Sequence, residues 1–186
     1  MRVIHTARLT LEPQVAAHAD AMFSVLGDPV IYQYENEPPP SLGWLRTRYA
    51  KLETRQSADG RERWLNWVIR LPASGPIGFV QATLHPDGRA AIAYVLSSAS
   101  WGRGFASEAV QAMIAELADH YQVRRFSAVL KQENQRSLRL LERLGFSLAA
   151  PDSWIALEPG ELLMRYLPAP PLPSAPGSTA NRSPAG

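Results

Sequence analysis

A pair of glycines stands directly before a helical pattern, at a spacing that suits the binding of a phosphate group. Gly102 and Gly104 follow an apolar strand pattern ending at Leu96, and a helix with Ala109 and Val110 on its apolar face comes next. Glycine lets the backbone turn tightly and approach a ligand closely, while the free N–H groups at a helix start attract an anion. The stretch is neither a Gly-x-Gly-x-x-Gly fingerprint nor a P-loop, because it lacks a third glycine and a Gly-Lys-Ser/Thr sequence. Taken alone, two glycines would also fit an ordinary surface turn.

A second group of residues with chemical potential follows the next strand pattern along the chain. Residues 125–130 read as a strand, and a helix then runs from Asn134 through Ser137 to Gly145, just before Phe146. Asn134 suits a helix N-cap and Gly145 a left-handed C-cap, so each has a structural explanation of its own. The combination of this group with the glycine pair is what indicates a function.

The elements that must position these residues alternate between strands and helices. We expect a strand at residues 7–11, a helix opened by Pro13 and ending near Gly27, an irregular stretch at 31–40 and a helix capped by Ser41. Strand patterns at 64–71, 77–85 and 91–96 are separated by turns and predict a three-strand meander. This order favours a mixed sheet with helices on its faces.

Composition narrows the class of protein. The chain has 186 residues, of which 46% are hydrophobic and 19% charged, and this balance predicts one globular domain at 1–167. Residues 168–186 are rich in proline and lack large apolar residues, so we expect a disordered tail, with a proline-rich partner ligand as the alternative. The absence of cysteine excludes a disulfide scaffold, a zinc-thiolate site and a cysteine nucleophile. No signal peptide or membrane span is visible, so a cytoplasmic protein with no membrane partner is expected.

Together, the two groups of residues resemble the motifs of the Gcn5-related N-acetyltransferase (GNAT) superfamily, particularly its RimJ/RimL-like branch. The coenzyme A motif of that family, Gln/Arg-x-x-Gly-x-Gly/Ala, aligns with residues 101–106, Trp101 to Ala106. The second hallmark, Asn-x-x-Ser/Ala followed by a hydrophobic run and Gly-Phe, aligns with Asn134, Ser137 and residues 145–146. The resemblance covers residues 7–167 and implies an α+β fold whose mostly antiparallel sheet splays at the cofactor site.

The resemblance also implies a co-substrate and a set of binding residues. Acetyl-coenzyme A would pair its pantetheine arm with the backbone of one strand and place its pyrophosphate on the amides of the loop and helix start, with no metal ion. The cofactor-binding residues implied are Tyr94, Val95, Leu96, Gly102, Arg103, Gly104, Phe105, Ala106, Ser107 and Asn134. The reaction implied is direct attack of a primary amine on the thioester.

Departures from the family pattern affect the proton transfers. Many relatives carry a tyrosine seven residues after the asparagine as the acid that protonates the thiolate, but this position is Leu141. Ser137 occupies the alternative position and is the candidate catalytic acid, although a serine in a first helical turn also serves as a local hydrogen bonder. The family's usual glutamate base is absent from residues 89–92. Either a water chain removes the proton, or one of four residues does so: Glu35, Glu37, His85 or Tyr94.

The acceptor is less well determined than the co-substrate. In this fold the acceptor groove lies between the first two helices, their loop and the later strands, and we expect a small-molecule or peptide amine there. The loop at 32–37 carries two aromatic and two acidic residues, which suits a cationic amine but also an ordinary polar loop.

A non-catalytic coenzyme A-binding module is the main rival function. A nucleic-acid-binding domain is supported only by a pI near 9.1, and no nucleic-acid partner is expected. The sequence leaves the oligomeric state open, with a homodimer as one arrangement.

Overall fold

The fold is built on one mixed β-sheet. The computed structural model describes residues 1–34, 36–72, 74–150 and 155–168. Within them the sheet has eight strands, in the spatial order β1-β2-β3-β4-β5-β6-β8-β7. Their bounds are β1 Ile4–His5, β2 Thr10–Pro13, β3 Arg63–Leu71, β4 Gly75–Leu84, β5 Arg89–Leu96, β6 Arg125–Lys131, β7 Ser147–Ala149 and β8 Glu161–Tyr166. Neighbouring strands are antiparallel except β5 and β6, which are parallel. The predicted mostly antiparallel sheet and its central meander are confirmed.

Helices cover both faces of this sheet, as predicted. The α-helices are α1 Ala19–Leu26, α2 Leu42–Glu53, α3 Phe105–Tyr121 and α4 Gln135–Arg143, with short 3-10 helices at Ala16–His18, Pro29–Tyr32 and Ser98–Ser100. Helices α1 and α2 pack on one face, where Val68 of β3 and Val95 of β5 meet them. Helices α3 and α4 pack on the opposite face, over a larger core that includes Ile92 and Leu96 of β5. Alternate residues of β5 therefore face the two helical layers.

Two boundaries near the N-terminus differ from the prediction. The first predicted strand begins at Thr10 rather than at residue 7, because Thr6 to Leu9 form a turn in which the amide of Thr6 donates to the carbonyl of Leu9. Pro13 does not open a helix, since it remains in β2 opposite Trp67. The amide of Gln14 continues this pairing by donating to the carbonyl of Asn66, so the chain leaves the sheet later than the proline signal indicated.

Strand β5 separates from β6 along most of its length. Their register covers only Arg89–Ala91 against Arg125–Ser127, although β5 continues to Leu96 and β6 to Lys131. On its other side β5 is paired with β4 from Ala90 to Leu96, and β4 carries Gly78 at a position where a side chain would have no room. A Cβ atom at Gly78 would overlap the carbonyl oxygen of Val95 and lie 2.8 Å from the Cα atom of Leu96. The separated end of β5 is thus held from one side and open on the other.

Candidate active site

The loop after β5 has the conformation that the glycine pair predicts. Gly102 and Gly104 adopt φ angles of +73° and +79°, in the left-handed region that glycine occupies without steric cost. Helix α3 begins immediately afterwards, at Phe105. The ring nitrogen of Trp101 donates to the carbonyl of Leu96 at 2.9 Å, which ties the loop back to the end of the strand. The free amides at this 17-residue helix start are therefore available to an anion.

The N-terminal segment of the chain holds this loop in place, a contact that the sequence analysis did not predict. The Glu108 carboxylate accepts hydrogen bonds from the Thr6 hydroxyl (2.6 Å), the Arg8 amide (2.9 Å) and the Arg8 Nε atom (2.7 Å). Arg8 also donates through Nη1 to the Arg103 carbonyl at 2.9 Å, and its guanidinium lies over the Phe105 ring. Glu108 thus joins the N-terminal segment to α3.

This contact also affects the ionisation of Glu108. Burial alone would raise the pKa of its carboxyl group, but the hydrogen bonds from Thr6 and Arg8 outweigh burial and hold the pKa below its ordinary value. Glu108 is consequently charged at neutral pH. The charge and the hydrogen bonds both stabilise the junction between the N-terminal segment and the glycine loop.

A second arginine, Arg136, lies beside the glycine loop. It is next to Trp101, which stands at the position where the family motif has glutamine or arginine. The Arg136 guanidinium stacks over the Trp101 ring, with its carbon 3.7 Å from the ring centroid. Arg103 similarly lies 4.6 Å from the centroid of the Phe105 ring. Stacking of this kind holds a guanidinium in place while leaving its N–H groups at the edge. Arg136 thus brings a positive charge to the loop that the motif position itself, Trp101, does not supply.

A small cleft runs from the loop along the separated end of β5. Six of the predicted site residues line this cleft of about 120 Å³: Tyr94, Val95, Leu96, Ala106, Asn134 and Ser137. The other five lie in the glycine loop and first turn of α3 and are not part of the cleft lining: Gly102, Arg103, Gly104, Phe105 and Ser107. Phe105 is only 3% exposed and packs in the core, so its backbone amide is the group that it can offer to a ligand at the loop. Arg136 and Leu140 complete the α4 side of the cleft.

The side chain of Ser137 makes a direct contact with a tyrosine. The Tyr94 and Ser137 hydroxyl oxygens are 2.6 Å apart, across the cleft between β5 and α4. The Ser137 amide donates to the Asn134 side chain at 3.1 Å, so Asn134 is the helix N-cap as predicted. Burial raises the pKa of Tyr94 to about 12, against smaller lowering effects of the Ser137 hydrogen bond and of Arg143. Tyr94 is therefore protonated at neutral pH and suited to donate a proton rather than accept one.

The α4 positions that correspond to the family pattern do not all face the cleft. Asn134 and Ser137 line the cleft together with Leu140, whereas Leu141 is 1% exposed and lies in the core. Position 141 therefore belongs to the core-facing side of α4. A tyrosine at that position would have to leave the core to reach the cleft.

Of the remaining candidates for the base, His85 and Glu37 do not line this cleft. His85 lies in the β4–β5 turn, where its Nδ1 atom is 3.8 Å from Glu62, and it lines a second, larger cavity. Glu37 is exposed, and Glu35 lies outside the described residues. Among the described residues, no group of three or more His, Cys, Asp or Glu side chains is placed to hold a metal ion.

Comparison with known proteins agrees with this arrangement. The model of the acetyltransferase (GNAT) domain family matches residues 8–147, which is well over half of the chain. The chain belongs to the GNAT acetyltransferases. This acyltransferase is 30% identical over 148 residues to an uncharacterized N-acetyltransferase, p20, of Bacillus licheniformis, a match that covers 78% of this chain and 83% of p20.

Solved structures share the fold of this GNAT acetyltransferase. RimL, a ribosomal L7/L12 alpha-N-protein acetyltransferase in complex with coenzyme A, gives a TM-score of 0.76 at 19% identity, over 89% of this chain and 98% of RimL. The microcin C7 self-immunity acetyltransferase MccE, in complex with acetyl-CoA and AMP, gives 0.72 at 16% identity, over 87% and 93% of the two chains. Both likenesses show the fold. Within the described part of the chain, no helix combines the length and hydropathy that crossing a membrane requires.

Proposed function

We propose that this GNAT acetyltransferase transfers an acetyl group from acetyl-CoA to a primary amine by direct attack, and that it belongs to the RimJ/RimL-like branch. The observation that carries the proposal is the opening along β5, which ends in a loop with two left-handed glycines at a helix start. The fold shared with RimL and MccE, whose structures contain coenzyme A and acetyl-CoA, supports it. The acceptor is an amine of a protein N-terminus or of a small molecule.

The residues around the opening fit the parts of acetyl-CoA. The edge of β5 at Tyr94, Val95 and Leu96 is free of β6 and can pair with the amide groups of the pantetheine arm. The amides of residues 102–107 and the guanidinium of Arg136 offer donors and positive charge to the pyrophosphate. Asn134 lies beside the same cleft and orders the first turn of α4.

The chemistry needs a proton for the departing thiolate. The amine nitrogen first bonds to the thioester carbon, and the carbon–sulfur bond of the tetrahedral intermediate then breaks, with the electron pair going to sulfur. A main-chain amide stabilises the oxyanion that forms between these events. Ser137 is the candidate acid, and the Tyr94 hydroxyl at 2.6 Å can replace the proton that Ser137 gives up. The amine loses its proton to a water chain or to one of the candidate residues Glu35, Glu37 and His85.

Replacing Ser137 by alanine tests this assignment. We expect turnover to fall by roughly 10²-fold, as for loss of a general acid, with little change in coenzyme affinity. Tyr94→Phe keeps the ring and removes the hydroxyl, so it should reduce turnover while preserving the packing of β5. Ser147→Ala, in an exposed position of β7, is the matched control and should behave like the wild type. Kinetics, calorimetry and melting on the same proteins decide the outcome, since undiminished turnover of Ser137→Ala would leave water as the proton source.

The whole proposal is tested by thiol release. Acetyl-CoA should raise the melting temperature, and a primary amine should then release free coenzyme A thiol. The rival function, a coenzyme A-binding module without turnover, is favoured by Leu141 and by the missing glutamate base. Stabilisation by acetyl-CoA without thiol release from any amine of a broad panel would support that rival.

A further inference from the structure

The guanidinium group of Arg8 contacts the glycine loop from outside the cleft. Its Nη1 atom donates to the carbonyl of Arg103 at 2.9 Å, and its Nη2 atom would lie 3.3 Å from a Cβ atom added at Gly104. The same group lies over the Phe105 ring, with its carbon 4.8 Å from the ring centroid. The described residues that line the cleft do not include Arg8. Arg8 therefore lies against residues 103–105, within the proposed pyrophosphate site, without being part of the cleft wall.

The contact with Arg103 fixes the orientation of one peptide group in the loop. The peptide between Arg103 and Gly104 is trans, so its carbonyl and its N–H group point in opposite directions. Since the carbonyl is directed at Arg8, the Gly104 amide is held on the opposite side of the peptide. This amide is one of the donors proposed for the pyrophosphate. Without the contact the peptide could rotate easily, because glycine lacks the steric limits that a Cβ atom imposes.

Arg8 also engages a carboxylate that would otherwise compete with a bound phosphate. Glu108 lies in the first turn of α3, where a negative side chain is attracted to the same free amides as a phosphate group. Its Oε1 atom accepts from the Thr6 hydroxyl and the Arg8 amide, and its Oε2 atom accepts from the Arg8 guanidinium. Both oxygens are thus bound to the N-terminal segment. The start of α3 is left to an anionic ligand.

We infer that Arg8 is a positioning residue for the coenzyme, which sets the direction of the Gly104 amide and keeps the Glu108 carboxylate from the pyrophosphate. The inference rests on the proposed use of acetyl-CoA and adds to it a residue outside the cleft. Arginine suits this role because its planar group donates in several fixed directions and so bonds a carbonyl and a carboxylate at once. Because Arg8 acts through the loop and not through the Tyr94–Ser137 pair, its loss should weaken coenzyme binding and leave the chemical step unchanged.

The Arg8→Gln variant measures this effect. We expect the KM for acetyl-CoA, and the Kd for CoA in calorimetry, to rise roughly tenfold, as for loss of a hydrogen bond to a charged group. The kcat should stay within about twofold of the wild-type value. A purely structural role would instead reduce the fraction of folded enzyme and leave both KM and Kd unchanged. Unchanged KM and Kd in the folded variant would therefore overturn the inference.

Arg2→Gln is the matched control, because Arg2 also joins the N-terminal segment to α3. The Arg2 Nε atom donates at 2.7 Å to the buried Glu116 carboxylate, about two helical turns beyond Glu108. Loss of this bond to a buried carboxylate should lower the melting temperature at least as much as Arg8→Gln does. The KM for acetyl-CoA should nevertheless keep its wild-type value. An equal rise in KM in both variants would mean that any loosening of the N-terminal segment has this effect, and would overturn the role of Arg8.

Arg8→Lys keeps the inference testable if Arg8→Gln does not fold. A lysine can retain the ion pair with Glu108, but its ammonium group lacks the planar fork that also reaches the Arg103 carbonyl. We expect a melting temperature near that of the wild type and a KM for acetyl-CoA raised by roughly threefold or more. A wild-type KM in Arg8→Lys would show that a positive charge suffices, which would overturn the role of the hydrogen bond to the loop.

A ligand without phosphate groups tests where Arg8 acts. Pantetheine should inhibit Arg8→Gln and the wild type equally, whereas CoA should bind the variant more weakly. Equal weakening of both ligands would place the effect in the whole cleft and overturn the inference. Failure of the proposed function is distinguishable, since acetyl-CoA would then neither bind the wild type nor release thiol with any amine. A wild type that binds acetyl-CoA as tightly as Arg8→Gln does would refute the role of Arg8 alone.

Discussion

Replacing Gly104 by valine tests whether the loop after β5 binds the coenzyme. Gly104 has a φ angle of +79° directly before α3. An L-residue with a Cβ atom is strained there, and a β-branched residue is strained most. The nearest atom to a new Cβ would be Nη2 of Arg8 at 3.3 Å, the far end of a flexible side chain. Backbone strain, rather than a clash, therefore dominates the effect of the substitution.

The size of the effect follows from that strain. A left-handed conformation costs an L-residue about 1–2 kcal/mol. Without ligand the loop can relieve the strain by moving to negative φ, but its amides must return to the original geometry to hold the pyrophosphate. The strain then appears as lost affinity of roughly 5- to 30-fold for acetyl-CoA, since about 1.4 kcal/mol is tenfold.

Calorimetric titration of acetyl-CoA into the variant and a matched control measures this loss. Gly60, in the turn before β3, also has a positive φ of +70°, and a Cβ atom there would meet no atom within 4 Å, so Gly60→Val carries similar strain. Gly104→Val should lose coenzyme affinity, whereas Gly60→Val should bind acetyl-CoA like the wild type. Wild-type affinity in a folded Gly104→Val protein, or an equal loss in Gly60→Val, would mean that acetyl-CoA binds elsewhere.

Two further predictions concern the two ends of the chain. Truncation after Leu167 should leave turnover and melting temperature nearly unchanged, because the proline-rich tail has few apolar side chains to bury. Apart from Pro168, this tail lies outside the described residues. A drop of several degrees in the melting temperature would show that the tail docks on the domain. Folding lowers the pKa of the Glu108 carboxyl group. Its contacts with the segment around Arg8 therefore stabilise the fold at pH values above the pKa that Glu108 has in the unfolded chain. This stabilisation is lost as the pH falls through the pKa of Glu108 in the folded protein. The Glu108→Gln variant should therefore have a lower melting temperature than the wild type at pH 7. Measured over a pH series, this difference in melting temperature should shrink below about pH 4. A difference that stays constant from pH 7 to below pH 4 would contradict the role of the Glu108 charge.

Much of the fold was predictable because its signals are local. Ser41 and Asn134 cap their helices through hydrogen bonds to amides three residues away, and Gly145 takes a left-handed φ of +88° after α4. Each of these signals depends on neighbours within one helical turn. The meander was predictable for the same reason, since strand alternation and turn residues are both read over a few positions. Pro13 misled the prediction because pairing with β3, a partner distant in sequence, kept it in a strand.

The candidate site was predictable only in part. The glycine loop and the first turn of α4 could be found because their residue types and spacing match a family motif. The partner of Ser137 could not, since Tyr94 is 43 residues away and the two meet only because β5 and α4 flank the same opening. Arg136 was missed for a similar reason, as its stacking on Trp101 joins two separate loop-to-helix junctions.

The sequence by itself determined the caps of α2 and α4, that a meander precedes a loop with two glycines, and that the chain resembles an N-acetyltransferase. The tertiary structure alone decided which side chains meet across the sheet. Glu108 joins Arg8 over a separation of 100 residues, and Arg89 lies beside Arg125 because β5 and β6 are parallel neighbours. Caps and turns are set by interactions within a few residues, and so the local sequence specifies them. Contacts between distant residues depend on strand order, register and helix crossover, which form only when the whole chain packs.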